Sequence, residues 1–358
     1  MQPRHHALDL LRGLAAIGIA TYHYVTSLDV EVQSLGTFGV YVFFVLSGST
    51  MMLVYGEQFS RAIRAGDLKT FYWNRVSRIM PLLAAASLLS FLLVVPSLGL
   101  TRHLGASALY SFMTGTSLFA LHLPGYLSNT IGAWSLGIEM LFYLLFPIIC
   151  LLTSRAGFWQ LAGIAIVLVV AQQIVIGLMH HWVEEDFRRF WHYYTTALIF
   201  APFFIFGMAI VRSRLQRRLD FLLLSILSLA VIAGFSLIVR VEIFKTHWAY
   251  LVLTAISVAA VFFAYNGRVP EVLVGPSAFL GHASYSLYLT HPFTLRLSEA
   301  LSDAFGYGPV FTGFLFFPSA LIVAYGTFVL FERPAQRFLR SYGHLWSTAA
   351  QRSRAGAE

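Results

Sequence analysis

Long apolar runs, each of a length that crosses a bilayer, follow one another through almost the whole chain. About 20 mostly apolar residues span the hydrocarbon core. That pattern recurs at 7–28, 36–56, 79–99, 133–153, 158–179, 195–211, 219–239, 248–265, 277–294 and 309–331. Such a chain has little choice of fold, because in lipid every backbone polar group must be satisfied internally and single runs of this length do so as helices. The sequence therefore predicts an all-α polytopic membrane bundle of about ten transmembrane helices. Residues 103–123, interrupted by Gly, Ser, Thr and His, read as a re-entrant or interfacial segment. One transmembrane domain is expected over 1–339, with a basic, disordered cytoplasmic tail over 340–358.

Composition removes the soluble alternatives. The chain is 58% hydrophobic and 11% charged, where soluble domains run near half apolar and a quarter charged. Its formal charge of +8 does not read as a nucleic-acid surface. The basic residues, all Arg except Lys69 and Lys245, sit in small groups between apolar runs, as topology determinants do. About 18 of the 24 fall in the N-terminal tail, 57–78, 212–218, the C-terminal tail and positions 12, 155 and 268. The acidic cluster Glu184, Glu185, Asp186 falls on the opposite side. An even number of spans with both termini cytoplasmic satisfies this distribution. The first apolar run lacks a small-residue cleavage site and reads as a retained helix. Cys150 is the single cysteine, lies inside an apolar run, and reads as packing.

Ionisable residues inside spans are costly and mark function by default. The first span carries Asp9, Arg12 and His23. At 100° per residue, His23 returns to within ~20° of Arg12 and ~40° of Asp9, with ~16 Å of rise between Arg12 and His23. Gly13, Ala15, Ala16 and Gly18 lie between them and leave room for a narrow ligand or a close helix. The competing reading is a snorkelling Asp9–Arg12 pair plus a buried histidine. In the fourth span, Ser135, Glu139 and Tyr143 share one helix face. Glu139 suits an imidazole partner, or a structural arginine such as Arg75. In the ninth span, His282, Tyr285, Tyr288 and His291 recur at steps of three, a band that interfacial aromatics also explain. Arg75 and Arg78 stand at i, i+3 before the third span, as a phosphate clamp or as positive-inside anchors.

These motifs together resemble the acyltransferase-3 family of membrane acyltransferases, which O-acylate glycans at bacterial inner membranes. The resemblance rests on LDLLRGLAAIGIATYH, GVYVFFVLSGS, FYWNRVSRIMP, AWSLGIEMLFYLLFP, LGHASYSLYLTHPF and FERPAQRFL, in family order from residue 8 to residue 339. It implies a ten-helix core in the bacterial cytoplasmic membrane that uses acyl-CoA, usually acetyl-CoA, as donor. The implied acceptor is a hydroxyl of a polysaccharide or lipid-linked glycan, with no metal and no nucleic acid. By position, His23 matches the family's essential histidine and Arg12 its essential arginine. Arg75 and Arg78 match the basic pair that would join Arg12 in binding the donor. Ser135, Glu139, Tyr285, Ser286, Tyr288, His291 and Glu332 match further motif positions. On this basis His23 is expected as base or transient acyl carrier, oriented by Glu139. Asp9, Ser135, Tyr143, Tyr285, Tyr288 and His291 are expected to line the substrate path, and Arg188, Arg189, Trp191, His192 and Tyr193 an outer glycan site.

One departure stands out. After Ser47 and Gly48 the family usually has Phe, whereas here Ser49 and Thr50 follow. No hydrolase-like domain is expected after the membrane domain, so transfer is expected to finish within it. A transporter or flippase would bury the same ionisable residues. The sequence, however, has neither internal repeats nor paired Gly/Pro-broken helices in two halves.

Overall fold

The computed structural model describes residues 5–30, 32–98, 102–121, 128–213 and 247–343. Among them there are helices and no strands. In chain order they are α1 (His6–Thr26), α2 (Gln33–Arg61), α3 (Ala65–Leu98), α4 (Arg102–Gly115), α5 (Ala133–Leu152) and α6 (Phe158–Met179). There follow α7 (Trp182–Glu185), α8 (Phe187–Tyr194), α9 (Ala197–Arg212), α10 (His247–Asn266), α11 (Glu271–Ala304) and α12 (Pro309–Thr327). A π-helical turn, Phe328–Glu332, extends α12, and the helix continues to Gly343.

Among the described residues, 7 helical stretches are long and apolar enough to cross a membrane: α2, α3, α5, α6, α8 with α9, α10, and α12 with its extension. They coincide with the second to sixth, eighth and tenth apolar runs. The seventh run, 219–239, lies outside the described residues. The first and ninth runs are helical, as α1 and α11, but are not among the seven. Both carry the polar residues that set them apart in the sequence. The 103–123 segment forms the 14-residue α4 and a 3-10 turn, Leu118–Leu121. At 1.5 Å per residue α4 rises about 21 Å, short of the ~30 Å hydrocarbon core.

The chain divides into two compact units, Met1–Glu57 with Arg155–Tyr325, and Gln58–Ser154 with Gly326–Glu358. In the first unit, α1 and α11 form the main helix pair. A Cβ at Gly13 would strike Leu280, and a Cβ at Gly281 would lie 2.5 Å from the Asp9 Cβ. Small residues thus let the two backbones approach closely, as between membrane helices generally. Ala16 and Ala20 continue the contact in a core with Ala283, Leu287, Phe316 and Ala320. Contacts advance in the same direction along both helices, from Asp9–Gly281 to His23–His291, so the pair is parallel. The far end of α1 meets the start of α12, where the Tyr24 hydroxyl donates to the Pro309 carbonyl at 2.8 Å.

A second glycine crossing joins α2 and α9. A Cβ on Gly48 would overlap the Phe204 carbonyl, and one on Gly207 would overlap the Val45 carbonyl. The buried Ser49 hydroxyl lies 2.9 Å from the Val45 carbonyl and 3.0 Å from that of Gly207, tying the helices where they touch. On the other side of α9, Gln172 of α6 donates its amide to the Ile199 carbonyl at 2.8 Å.

In the second unit, Phe59, Phe71 and Phe146 make an aromatic core of fully buried rings. The hairpin of α3 and α4 is closed by hydroxyls and one amide. Ser87 donates to Asn129 Oδ1 at 2.8 Å, and Asn129 Nδ2 donates to the Ser87 carbonyl at 3.0 Å. The Trp73 indole donates to the Leu339 carbonyl at 2.7 Å, fastening the C-terminal extension to α3.

Candidate active site

In the first unit the site is built on α1. Asp9 sits in the first turn, where the N-terminal end of the helix dipole favours a carboxylate. The Arg12 guanidinium reaches the Asp9 carboxylate at 3.4 Å, with side-chain exposures of 20% and 13%. It also donates to the Thr50 hydroxyl of α2 at 3.2 Å. The Asp9–Arg12 pair expected as an alternative reading therefore exists, but the guanidinium is also tied to a second helix. At this level α1 faces α11 through Gly13 and Gly281, so the small residues there admit a close helix.

His23 lies at the other end of the same helix. Its ring is 5.1 Å from that of His291 on α11, at an interplanar angle of 31°. His291 is fully buried, while His23 is half-buried. Pro292 has no N–H for the Tyr288 carbonyl, though the helix runs unbroken through it. The His291 Nδ1 lies 3.0 Å from the Leu287 carbonyl. A carbonyl only accepts, so Nδ1 carries the hydrogen, and Nε2 of the neutral ring is an acceptor. Tyr288 is buried and stands between Phe43 and His291, at ring distances of 5.7 and 6.3 Å. Tyr285 is half-buried on the same helix, and Ser286 is buried. The structure thus brings Asp9 and Arg12 together at one end of α1, and His23, His291 and Tyr288 at the other.

In the second unit, Arg75 is 9% exposed, and its guanidinium lies over the Tyr143 ring at 5.7 Å from the centroid. The Tyr143 hydroxyl donates to the Glu139 carboxylate. One tyrosine thus links the arginine to the carboxylate. The shared face of Glu139 and Tyr143 follows from helix periodicity, and Arg75 is the alternative partner to an imidazole. Ser135 is buried, and its hydroxyl donates to the Gly132 carbonyl at 3.0 Å as the helix begins. Arg78 is half-buried, and among the described residues it makes no hydrogen bond or ion pair. Glu332 is buried at the end of the π-helical turn. On the α7–α8 segment of the first unit, the Arg189 guanidinium covers the Trp182 ring at 4.1 Å, and Phe187 and Tyr193 are exposed.

Sequence reading assigned no role to two residues that the structure makes structural. Ser49 and Thr50, where the resemblance broke down, bond to Gly207 and Arg12 respectively. Nothing in the sequence reveals which helix faces Thr50, because registers between helices are set by tertiary packing. The contact between His23 and His291 was hidden for the same reason.

Comparison with known proteins places the chain in a family. A model of the acyltransferase domain family matches residues 5–333. O-acetyltransferase OatA of Staphylococcus aureus (strain NCTC 8325 / PS 47) is 27% identical over 314 residues, covering 79% of this chain and 49% of the relative. The exopolysaccharide production protein ExoZ of Rhizobium meliloti (strain 1021) is 27% identical over 312 residues, covering 85% and 90%. The putative peptidoglycan O-acetyltransferase YrhL of Bacillus subtilis (strain 168) is 28% identical over 201 residues, covering 49% and 29%. The chain spans about half the length of the OatA proteins it matches. No solved structure matches. With the family model matched over nearly its whole length, and the family's motifs placed on packed membrane helices, this chain belongs to the acyltransferase-3 family.

Proposed function

We propose that this protein is a multi-pass O-acyltransferase of the bacterial cytoplasmic membrane. It moves an acyl group, acetyl in the first instance, from cytoplasmic acyl-CoA to a hydroxyl of an extracytoplasmic polysaccharide or lipid-linked glycan. The observation that carries this reading is the α1 helix, which holds the Arg12 guanidinium at one end and the His23 imidazole against a second imidazole at the other. The O-acetyltransferase relatives supply the reaction class.

Acyl transfer from a thioester needs a base for the attacking hydroxyl, or a nucleophile that carries the acyl group between substrates. His23 serves as that base or transient carrier. As base it takes the hydroxyl proton while the oxygen bonds to the thioester carbon. The C–S bond then breaks, and the imidazolium returns the proton to the departing thiolate. Arg12 is assigned to the donor's phosphates, which suit guanidinium geometry; Arg75 and Arg78 of the second unit carry the same assignment by motif position alone. Glu139 and Tyr143 set the position of Arg75. Tyr285 and Tyr288 line the acyl or acceptor path, and the aromatic α8 segment stacks on the glycan.

The test uses inverted membrane vesicles supplied with acetyl-CoA labelled in the acetyl group. Wild-type protein transfers label to high-molecular-weight glycan and releases free thiol, whereas His23→Ala loses transfer by at least about a hundredfold. Full transfer by His23→Ala would reject the assignment. Glycan export by the wild type without thioester consumption would point to a flippase instead.

A further inference from the structure

We propose that His291 is the positioning residue for His23, its Nε2 accepting a hydrogen bond from one ring N–H of His23 and leaving the other nitrogen free as base. This rests on the acyl-transfer reading above and adds a residue to it. Four observations carry it. The His291 ring donates from Nδ1 to the Leu287 carbonyl at 3.0 Å, which fixes its tautomer and makes Nε2 an acceptor. That Nε2 is buried with no hydrogen-bond partner among the described residues. His291 itself is fully buried, so bulk water does not satisfy it. The ring lying against it, at 5.1 Å, is His23, which makes no side-chain hydrogen bond among the described residues and keeps part of its surface open.

A buried acceptor left without a donor is costly, and such groups in native proteins call for an explanation. His23 can supply one once its ring turns toward that Nε2, because a neutral imidazole has a single N–H to give. If that N–H goes to His291, the lone pair of His23 is confined to its other nitrogen. The logic is that of a histidine oriented by a second group, with an imidazole in place of the usual carboxylate. During transfer, His23 takes the acceptor's hydroxyl proton as the C–O bond forms. The resulting imidazolium donates more strongly to His291 Nε2, and its newly acquired proton leaves with the thiolate as the C–S bond breaks.

Membrane vesicles carrying His291→Phe, His291→Gln, His291→Asn or His23→Ala are compared at varied acetyl-CoA. Phe keeps the volume but has no acceptor, and Gln places an amide oxygen near the Nε2 position. For His291→Phe we expect kcat to fall about a hundredfold with KM for acetyl-CoA within about twofold of wild type, and for Gln to recover at least about tenfold of that loss. Wild-type kcat in His291→Phe, or Gln no better than Phe, overturns the proposal. If the Phe protein does not accumulate in the membrane, Gln against Asn decides it: Gln about tenfold the more active supports His291, and equal activity rejects it. Loss of transfer in His23→Ala with His291 variants unaffected removes this inference alone, whereas full transfer by His23→Ala removes the parent reading too.

Discussion

Arg12 is held by two oxygens of different kinds, the Asp9 carboxylate at 3.4 Å and the Thr50 hydroxyl at 3.2 Å. The carboxylate keeps the guanidinium charge compensated, and the hydroxyl aims it. Thr50→Val keeps the shape and deletes the acceptor, which costs about 1 kcal/mol at a part-buried cation, or about fivefold in affinity. If Arg12 binds the donor, the loss falls on KM for acyl-CoA and leaves kcat within about twofold. Steady-state kinetics in vesicles checks this, and an unchanged KM would detach Arg12 from the donor. A parallel case stands in the other unit. Tyr143→Phe keeps the ring under Arg75 but removes the hydroxyl from Glu139. About 1–2 kcal/mol of stability should go with it, seen as a lower thermal midpoint in detergent. No change in that midpoint would mean another donor satisfies the carboxylate.

Two glycine crossings set how closely the helices of the first unit approach. At Gly48 and Gly207 a methyl group would meet backbone carbonyls of the partner helix, which cannot swing aside as a side chain can. At Gly281 it would meet Asp9, the residue that pairs with Arg12. Gly163 of α6, by contrast, has nothing within 4 Å. Gly48→Ala and Gly207→Ala are therefore expected to cost about 1–3 kcal/mol or more through overpacking. Gly163→Ala should be neutral or stabilising by about 0.5–1 kcal/mol through helix propensity. Thermal unfolding of the purified proteins ranks them, and Gly207→Ala as stable as Gly163→Ala would contradict the crossing. Gly281→Ala should reduce transfer as well as stability, because it displaces Asp9. The closeness of α1 and α11 also explains why these helices can be less apolar than their neighbours. Asp9 and His23 of α1 are covered by Gly281 and His291 of α11, and exposure to lipid is left to helices such as α6 and α12, whose apolar windows are mostly unburied.

On the scale of the whole chain, the basic connections set the orientation expected in the membrane. Residues 57–78 should face the cytoplasm, and the acidic cluster Glu184–Asp186 the outside. Cys150 is fully buried, so single introduced cysteines can be read against a low background. A membrane-impermeant maleimide added to spheroplasts should label Glu185→Cys and spare Gly66→Cys, with the reverse pattern inverting the topology. The run lengths, charge asymmetry and motif order were enough to establish an all-helical membrane chain and its family. Each depends only on local composition or helix period, which a linear sequence carries in full. Helix periodicity likewise placed Asp9, Arg12 and His23 on one stripe, and Glu139 with Tyr143 on another. The tertiary structure alone decided that Thr50 meets Arg12, that Ser49 bridges to Gly207, and that His291 lies against His23. Those pairings depend on the rotation and register of one helix against another. That register is fixed by a few glycines accepting a neighbour's backbone, a property of pairs of segments and not of either one.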